Sequence, residues 1–571
     1  MKSAQSTFRI VFFSSLVLII ILAVVNVILS KIAFRKFNTR LHAAGIKIRS
    51  LNVNLFTRSV TIEGFEWTKR NSADSTSSAT FAESDSAVQT SDSLSVRVET
   101  IRASGINVLA FIRKREIRLR ALVLSNGKVV ADVSNFSRSS EDSVGSNRIA
   151  KELPISSISL GDLAIEDIAI VLKNDTLLEH VANVSLELRD VGLPDADQYA
   201  DPNTYTLGGL KLSVANYKMT VQRSMYTLNV KNMSVDSRSK EMIIDSLVLL
   251  PKYGKYQFSR KLGKQVDRFV LRVPQITLSG LDFTRLHDSI FVASTVKIAH
   301  GNLYVFRDKR LPFIKHHNTP LPIALIRALP FGFAVDSLIL ADTKITYEEF
   351  PEKGFETGYI VFDHLQARVD RLNNRDYYPG LKQSVLHVNS RVMENGVIKV
   401  DFTLPYNEAQ VYNAKGRISN LGLHRLNPIL ESLAFIRVES GRLNALDFNF
   451  DYDDYVSHGN MTINYENLKL AGLTKDKESK ENELKSFALG LFVRKDKDRE
   501  VPIEKRSGKI YYERDRRRAI FNVWVKSLFS GVKSSVMDPP SERKTLTRKE
   551  RRDSLRDVRK ANREKKKKER S

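Results

Sequence analysis

Residues 440–470 read SGRLNALDFNFDYDDYVSHGNMTINYENLKL, a stretch in which apolar and polar side chains alternate. Leu446, Phe448 and Phe450 occupy every second position, and acidic or amide residues lie between them. Successive side chains of a β-strand point to opposite faces of the sheet. The stretch therefore predicts strands with one apolar and one polar face.

Similar alternation covers about four hundred residues, with few helical periods apart from 321–329 and 423–433. Four segments place a polar or glycine turn between two alternating runs: LVLSNGKVVADV from Leu122, ISLGDLAIEDIAI from Ile158, VKIAHGNLYVF from Val296 and LILADTKITYEE from Leu338. These segments predict repeated β-hairpins. Because their spacing is irregular, a propeller or leucine-rich horseshoe is disfavoured, and an elongated antiparallel sheet is expected.

The amino terminus carries a long apolar segment at residues 10–29, IVFFSSLVLIIILAVVNVIL, without a charged residue. At 1.5 Å per residue, about twenty apolar residues cross a hydrocarbon core. The segment exceeds a signal-peptide core, so a retained transmembrane anchor is predicted. Its representative residues are Ile10, Leu18, Ile20, Leu22 and Leu29. The basic residues after it favour, on charge alone, a cytoplasmic location for the body of the chain.

Composition limits the function classes. The 571 residues carry 90 Lys and Arg against 65 Asp and Glu, a formal net charge of +25 that suits anionic partners. There is no cysteine, which excludes disulfides, thiolate metal sites and cysteine nucleophiles. The Walker, nucleophile-elbow and zinc-protease motifs are also absent, so neither an enzyme nor a cofactor is expected.

Two polar clusters are weak candidates for metal binding. The acidic run around Asp447 and Asp451 alternates with apolar residues, which indicates a solvated strand face rather than a calcium site. His316 and His317 are adjacent residues in a proline-bounded loop, and the sequence offers no partner at ligand spacing. No metal site is predicted.

The expected organisation rests on these patterns. Residues 1–30 form a cytoplasmic stub and anchor, 31–319 the first part of the β body with flexible loops near 71–93 and 137–147, and 320–519 the second part. Residues 520–540 form an amphipathic helix, because Ile520, Trp524 and Leu528 recur every four residues. Residues 541–571 form a basic disordered tail of net charge +9.

Two structural questions stay open at the level of residues. The apolar face of Leu446, Phe448 and Phe450 fits a covered core, the commoner arrangement, or an open groove for acyl chains. The helix from residue 520 fits closure of the sheet end or, less well, a membrane interface. The tail lacks aromatic residues for base stacking, so a nucleic-acid partner is not expected.

The block at 320–473 resembles the AsmA-like family of envelope proteins, especially its Bacteroidetes-type members. The resemblance rests on LPIALIRALPFGFAVDSLILADTKITYEEF, on SGRLNALDF and on GNMTINYENLKL, together with the amino-terminal anchor and the hairpin at 45–67. It implies relatives of chorein-type bridge proteins, with a curved sheet that forms a hydrophobic groove for lipid. The resemblance does not imply any catalytic residues.

The resemblance implies a single-pass inner-membrane protein whose bulk lies in the periplasm. It further implies lipid transfer or envelope biogenesis, with phospholipid and an outer-membrane or other envelope protein as partners. We therefore expect lipid contact at Leu446, Phe448 and Phe450 and at Ile520, Trp524 and Leu528. The alternatives are a non-enzymatic scaffold that binds a protein by edge addition and, less favoured, a membrane-tethered nucleic-acid binder.

Overall fold

A computed structural model describes residues 45–54, 56–70, 93–107, 116–132, 157–174, 178–192, 206–221, 225–286, 288–313, 318–352, 356–407, 411–472 and 504–537, with Lys31 and Phe34. The described strands form one sheet of 21 strands, which confirms the mostly β prediction. Among these residues no helix is long and apolar enough to cross a bilayer. The predicted anchor, the loop at 137–147, most of the loop at 71–93 and the basic tail lie outside them.

The strands become long after the first two. The first seven are β1 (Ile46–Lys47), β2 (Ser50–Asn54), β3 (Ser59–Arg70), β4 (Ser93–Ser104), β5 (Glu116–Asp132), β6 (Ser157–Asn174) and β7 (Leu178–Gly192). The next seven are β8 (Thr206–Val221), β9 (Tyr226–Asp236), β10 (Glu241–Pro251), β11 (Asp267–Ser279), β12 (Ile290–Ala299), β13 (Asn302–Asp308) and β14 (Gly332–Phe350). The last seven are β15 (Gly358–Asn373), β16 (Gln383–Val392), β17 (Gly396–Pro405), β18 (Tyr412–Gly422), β19 (Ile436–Tyr452), β20 (Val456–Gly472) and β21 (Glu504–Glu513).

The sheet is mixed, whereas the sequence led us to expect an antiparallel one. Most neighbouring strands pair antiparallel, but β5 pairs parallel with β6, and β14 pairs parallel with both β12 and β13. The residues between β5 and β6, and between β13 and β14, are numerous enough for the crossovers that parallel pairing requires. Alternation along a strand carries no information about the direction of its neighbour, so the sequence did not reveal these crossovers.

The four predicted hairpins are wrong. In each segment the polar turn residue instead lies within a strand, or between two collinear strands, in the left-handed conformation: Asn126 (φ 56°), Asp167 (φ 51°), His300 (φ 54°) and Asp342 (φ 49°). Asn, Asp and His are the non-glycine residues that adopt this conformation most readily. The chain therefore kinks without reversing, and β12 and β13 lie end to end between β11 and β14.

Each kink changes which residues share a face. Leu340 pairs with Ala367 and Thr343 pairs with Leu365, so positions three apart on β14 face the same side around Asp342. This shift is the effect of a β-bulge. The apolar face of the sheet thus continues across the kinks although strict alternation is broken there.

Few helices accompany the sheet. They are α1 (Lys255–Leu262), α2 (Phe283–Leu286), α3 (Pro322–Arg327), a 3₁₀ turn (Leu423–Leu426), α4 (Asn427–Ala434) and α5 (Ile520–Met537). The helical segments at 321–329 and 423–433 and the helix beginning at residue 520 are confirmed. The main buried cluster involves β15–β21 together with α3 and α5. The hydrophobic core therefore lies in the carboxyl-terminal half of the sheet.

Candidate functional site

A row of directly paired apolar residues crosses the sheet from β2 to β21. Directly opposed residues of neighbouring strands project from the same face. The row, here called the apolar lane, consists of Leu51, Ile62, Ile101, Leu124, Ile165, Leu186, Leu212, Val235, Met242, Leu278, Val296, Leu338, Val369, Leu386, Phe402, Ala414, Phe450, Gly459 and Ile510. No polar side chain interrupts it.

A second apolar row runs beside the lane. It starts at Phe65 and Val98, continues through Ile168, Val184 and Val214, and ends in the carboxyl-terminal half. The second row lies on the same face, since β-strand positions two apart, or three apart across a kink, project to one side. The apolar face is therefore at least two side chains wide over most of the sheet.

Exposure along the lane changes from one half of the sheet to the other. Ile62, Ile165 and Leu212 are half-buried, as are the other lane residues from β2 to β10. The main helix contacts with the sheet fall on strands from β11 onward. In the described part of the chain no helix packs along the first half of the lane, although Val98, Ile168 and Val214 of the second row are buried.

Helix α5 covers the second half of the lane and is here called the cap helix. Trp524 stacks on Phe402, with 4.2 Å between ring centroids and 27° between ring planes. Val523 and Ser527 are fully buried beneath the helix. Phe521 packs edge-on against Phe362, with centroids 6.1 Å apart. The cap helix thus supplies the second layer of an ordinary core.

Two glycines allow the cap helix to lie close to β21. A Cβ at Gly508 would collide with the backbone oxygen of Gly531, and a Cβ at Gly531 would lie 2.8 Å from Ile510 Cγ1. Both contacts would be closer than the Cβ atoms of real proteins approach their neighbours. Glycine at these two positions is therefore needed for the observed helix-to-strand distance.

Serine side chains of the cap helix bind backbone groups of β21. The backbone N–H of Lys509 donates to Ser534 Oγ at 3.0 Å, and that of Tyr511 donates to Ser530 Oγ at 3.1 Å. Four helical residues rise about 6.0 Å and two strand residues about 6.6 Å, so the two spacings match. The helix is held by polar contacts as well as by apolar packing.

The structure brings the six predicted lipid-facing residues into one cluster. Leu446, Phe448 and Phe450 are 5%, 6% and 2% exposed, and Ile520, Trp524 and Leu528 pack against their cluster. Of the alternatives left open by the sequence, this arrangement matches the covered core and the closed sheet end. The predicted anchor residues Ile10, Leu18, Ile20, Leu22 and Leu29 lie outside the described residues.

The half-buried residues of the first half of the lane were not singled out from the sequence. Leu124 and Ile165 lie within alternating runs, so a signal was present. The polar residues Asn126 and Asp167 were interpreted as hairpin turns, and this interpretation divided each strand in two. Treating such residues as in-strand kinks would have kept the apolar positions on one face.

Ion pairs flank the apolar face at the ends of β11, β13 and β14. Arg307 donates two hydrogen bonds to Asp267, at 2.7 and 2.6 Å, and Lys309 Nζ lies 2.5 Å from Glu349 Oε1. Burial lowers the pKa of Lys309, while the carboxylate of Glu349 opposes this shift. Burial and the same carboxylate raise the pKa of Tyr347, whose hydroxyl donates to Glu349 at 2.6 Å. Each half-buried cation of this group, Arg307 and Lys309, is thus paired with a carboxylate, Asp267 and Glu349 respectively.

Metal binding finds no support among the described residues. They contain no group of three His, Asp or Glu side chains placed to hold an ion. Asp447 accepts two hydrogen bonds from Arg417, and Asp451 accepts one from Asn413. His316 and His317 lie outside the described residues.

Comparison with known proteins identifies no relative: no family model, curated protein or solved structure matches the chain.

Proposed function

We propose that this chain is a membrane-anchored, non-enzymatic lipid-binding protein of the AsmA-like type. Its apolar lane would shield the acyl chains of phospholipid from water during lipid transfer or envelope biogenesis. The observation that carries the proposal is the uninterrupted apolar lane, with half-buried side chains from β2 to β10 and no described helix packed along it.

The dimensions of the uncovered part suit lipid chains. Eight steps of about 4.8 Å between neighbouring strands give about 38 Å from β2 to β10. One leaflet of a bilayer contributes about half of a hydrocarbon core of about 30 Å. The uncovered lane is thus long enough for acyl chains of two phospholipids placed end to end.

The energetics also favour acyl chains over other ligands. Each methylene moved from water onto the lane contributes about 0.8 kcal/mol. The lane offers no charged or hydrogen-bonding side chain, so a polar ligand would lose its hydration there without compensation. Headgroups would stay at the rim of the sheet, in water.

The chain resembles the AsmA-like family in the block at 320–473, and this resemblance supports a curved groove in place of a flat sheet. It also supports the inner membrane as the location, with the body in the periplasm and an envelope protein as partner. In our proposal the cap helix closes the groove at its carboxyl-terminal end, so lipid occupies the half nearer the membrane anchor.

Position-specific photocrosslinking tests the proposal in intact membranes. A benzophenone side chain at Leu212 should form adducts with phospholipid, because this position faces the uncovered lane. Ser213 is the matched control, one residue along the same strand on the opposite face. Phe450 is a second control, buried beneath the cap helix. Equal lipid adducts at 212 and 213, or none at 212, would refute lipid binding in the lane.

A further inference from the structure

The polar face of the sheet contains a trough that runs across the strands from β12 to β20. Its volume is about 1090 Å³. The floor is the strand backbone behind Ala367, Val388, Val400 and Gly416, whose side-chain positions belong to the apolar face. Two rows of side chains, polar except for Ile339, form the walls. Seven steps of about 4.8 Å between eight strands give a length of about 34 Å.

One wall follows a single line of paired residues. It runs from Lys297 on β12 through Ile339 on β14, Arg368, His387 and Asp401 to Lys415 on β18, and Ile339 is its one apolar member. The opposite wall contains Gln366, Asn389, Lys399, Arg417, Asp447 and Thr462. Because both walls are built from pairings across many strands, their residues are scattered over more than 160 positions of sequence.

The trough is basic after its internal ion pairs are counted. Both carboxylates that line it are engaged, Asp447 by Arg417 at 2.6 and 2.9 Å and Asp401 by His387 at 2.6 Å. Arg368 binds Asp370. Lys297, Lys399 and Lys415 have no carboxylate partner among the described residues. Three ammonium groups are therefore available to a ligand.

The neutral side chains of the trough restrict the ligand further. Gln366, Asn389 and Asn460 line the trough, and their side-chain amides make no hydrogen bond to a described residue. Amides donate to and accept from hydroxyl groups. The one Phe, Tyr or Trp residue of the lining, Phe448, has its side chain in the core beneath the apolar face, so the trough presents no such ring on which a base could stack.

We propose that this trough binds an acidic saccharide chain, with the lysines pairing its carboxylate or phosphate groups and the amides binding its hydroxyls. A ligand that contacts lysines along the length of the trough has to be an oligomer, because Lys297 lies five strands from Lys415. The site is independent of the apolar lane, because the backbone of the sheet separates the two faces. The ligand is accordingly a separate chain and not the headgroup of a lipid held in the lane.

The test uses the full chain in phosphatidylcholine nanodiscs and a galacturonic-acid oligomer as the probe. The variant Lys399→Gln/Lys415→Gln should bind the oligomer about tenfold more weakly than the parent, because two exposed ion pairs are lost. Lys218→Gln/Lys231→Gln removes the same charge from exposed positions on β8 and β9 and should bind like the parent. This control accounts for the general attraction of the basic chain to polyanions.

Hydrogen exchange locates the bound oligomer. Protection should appear at 387–389, 399–401 and 415–417, and a maltose oligomer without charge should produce none. The proposal is overturned if both double variants bind alike, if protection falls elsewhere, or if single-stranded DNA or phosphatidylglycerol vesicles displace the oligomer from these strands.

Discussion

The cap helix can be tested by removing its largest contact with the sheet. Trp524→Ala deletes an indole that stacks on Phe402 at 4.2 Å. Fully burying a tryptophan removes about 150–250 Å² from water, or about 4–6 kcal/mol at 25 cal/mol per Å². Because Trp524 is only half-buried, we expect a loss of about 3 kcal/mol in the free energy of the cap-closed state.

Hydrogen exchange of the full chain measures this loss locally. Amides of β17, the strand that carries Phe402, should exchange about a hundredfold faster in Trp524→Ala if cap opening limits their exchange. Phe529→Ala is the matched control on the same helix, since Phe529 is 43% exposed and its removal should change little. Equal exchange in the two variants would refute the view that Trp524 holds the cap helix on the sheet.

Three further predictions concern other parts of the molecule. Arg307→Met should lower the free energy of unfolding, measured by urea titration, by about 3 kcal/mol, because it leaves Asp267 half-buried and unpaired. The double variant Arg307→Met/Asp267→Leu should regain most of the lost stability. Hydrogen bonds from His300 and His364 lower the pKa of Asp342, so the stabilising contribution of this carboxylate is present above about pH 4 and is lost as the pH falls through the lowered pKa. The difference in free energy of unfolding between the parent and Asp342→Asn should therefore decrease from pH 5 to pH 3. A difference that stays constant over this range would contradict the prediction. A reporter active only in the cytoplasm, fused after Ser571, should be inactive if the body is periplasmic, and activity would disprove that topology.

Strand content was predictable because it depends on local alternation. Residues around Leu446 and Phe450 form a strand as the sequence indicated. The hairpins were not predictable in the same way, because a polar residue that tolerates a left-handed backbone is compatible with a chain reversal and with a kink. Asp342 alone does not distinguish the two outcomes. The pairing of β14 with its neighbours does.

The candidate sites depend even more on pairing. The sequence did predict that Ile520, Trp524 and Leu528 share one helix face, because that periodicity is local. It did not show that this face would cover Phe402 and Phe450, which lie far away along the chain. The trough is a stronger example, since Lys297 and Lys415 line one cavity only through a series of strand pairings.

The hydrogen bonds from β21 to the cap helix bear on how the sheet ends. No described strand pairs with the outer edge of β21, and an exposed edge is a template for joining another chain. Ser530 and Ser534 occupy the N–H groups of Tyr511 and Lys509 that an incoming strand would need. Replacing both serines by alanine would leave these two N–H groups without their hydrogen bonds to the cap helix. Two serine hydroxyl groups and the close packing of the cap helix on β21 thus leave these N–H groups unavailable for pairing with another strand.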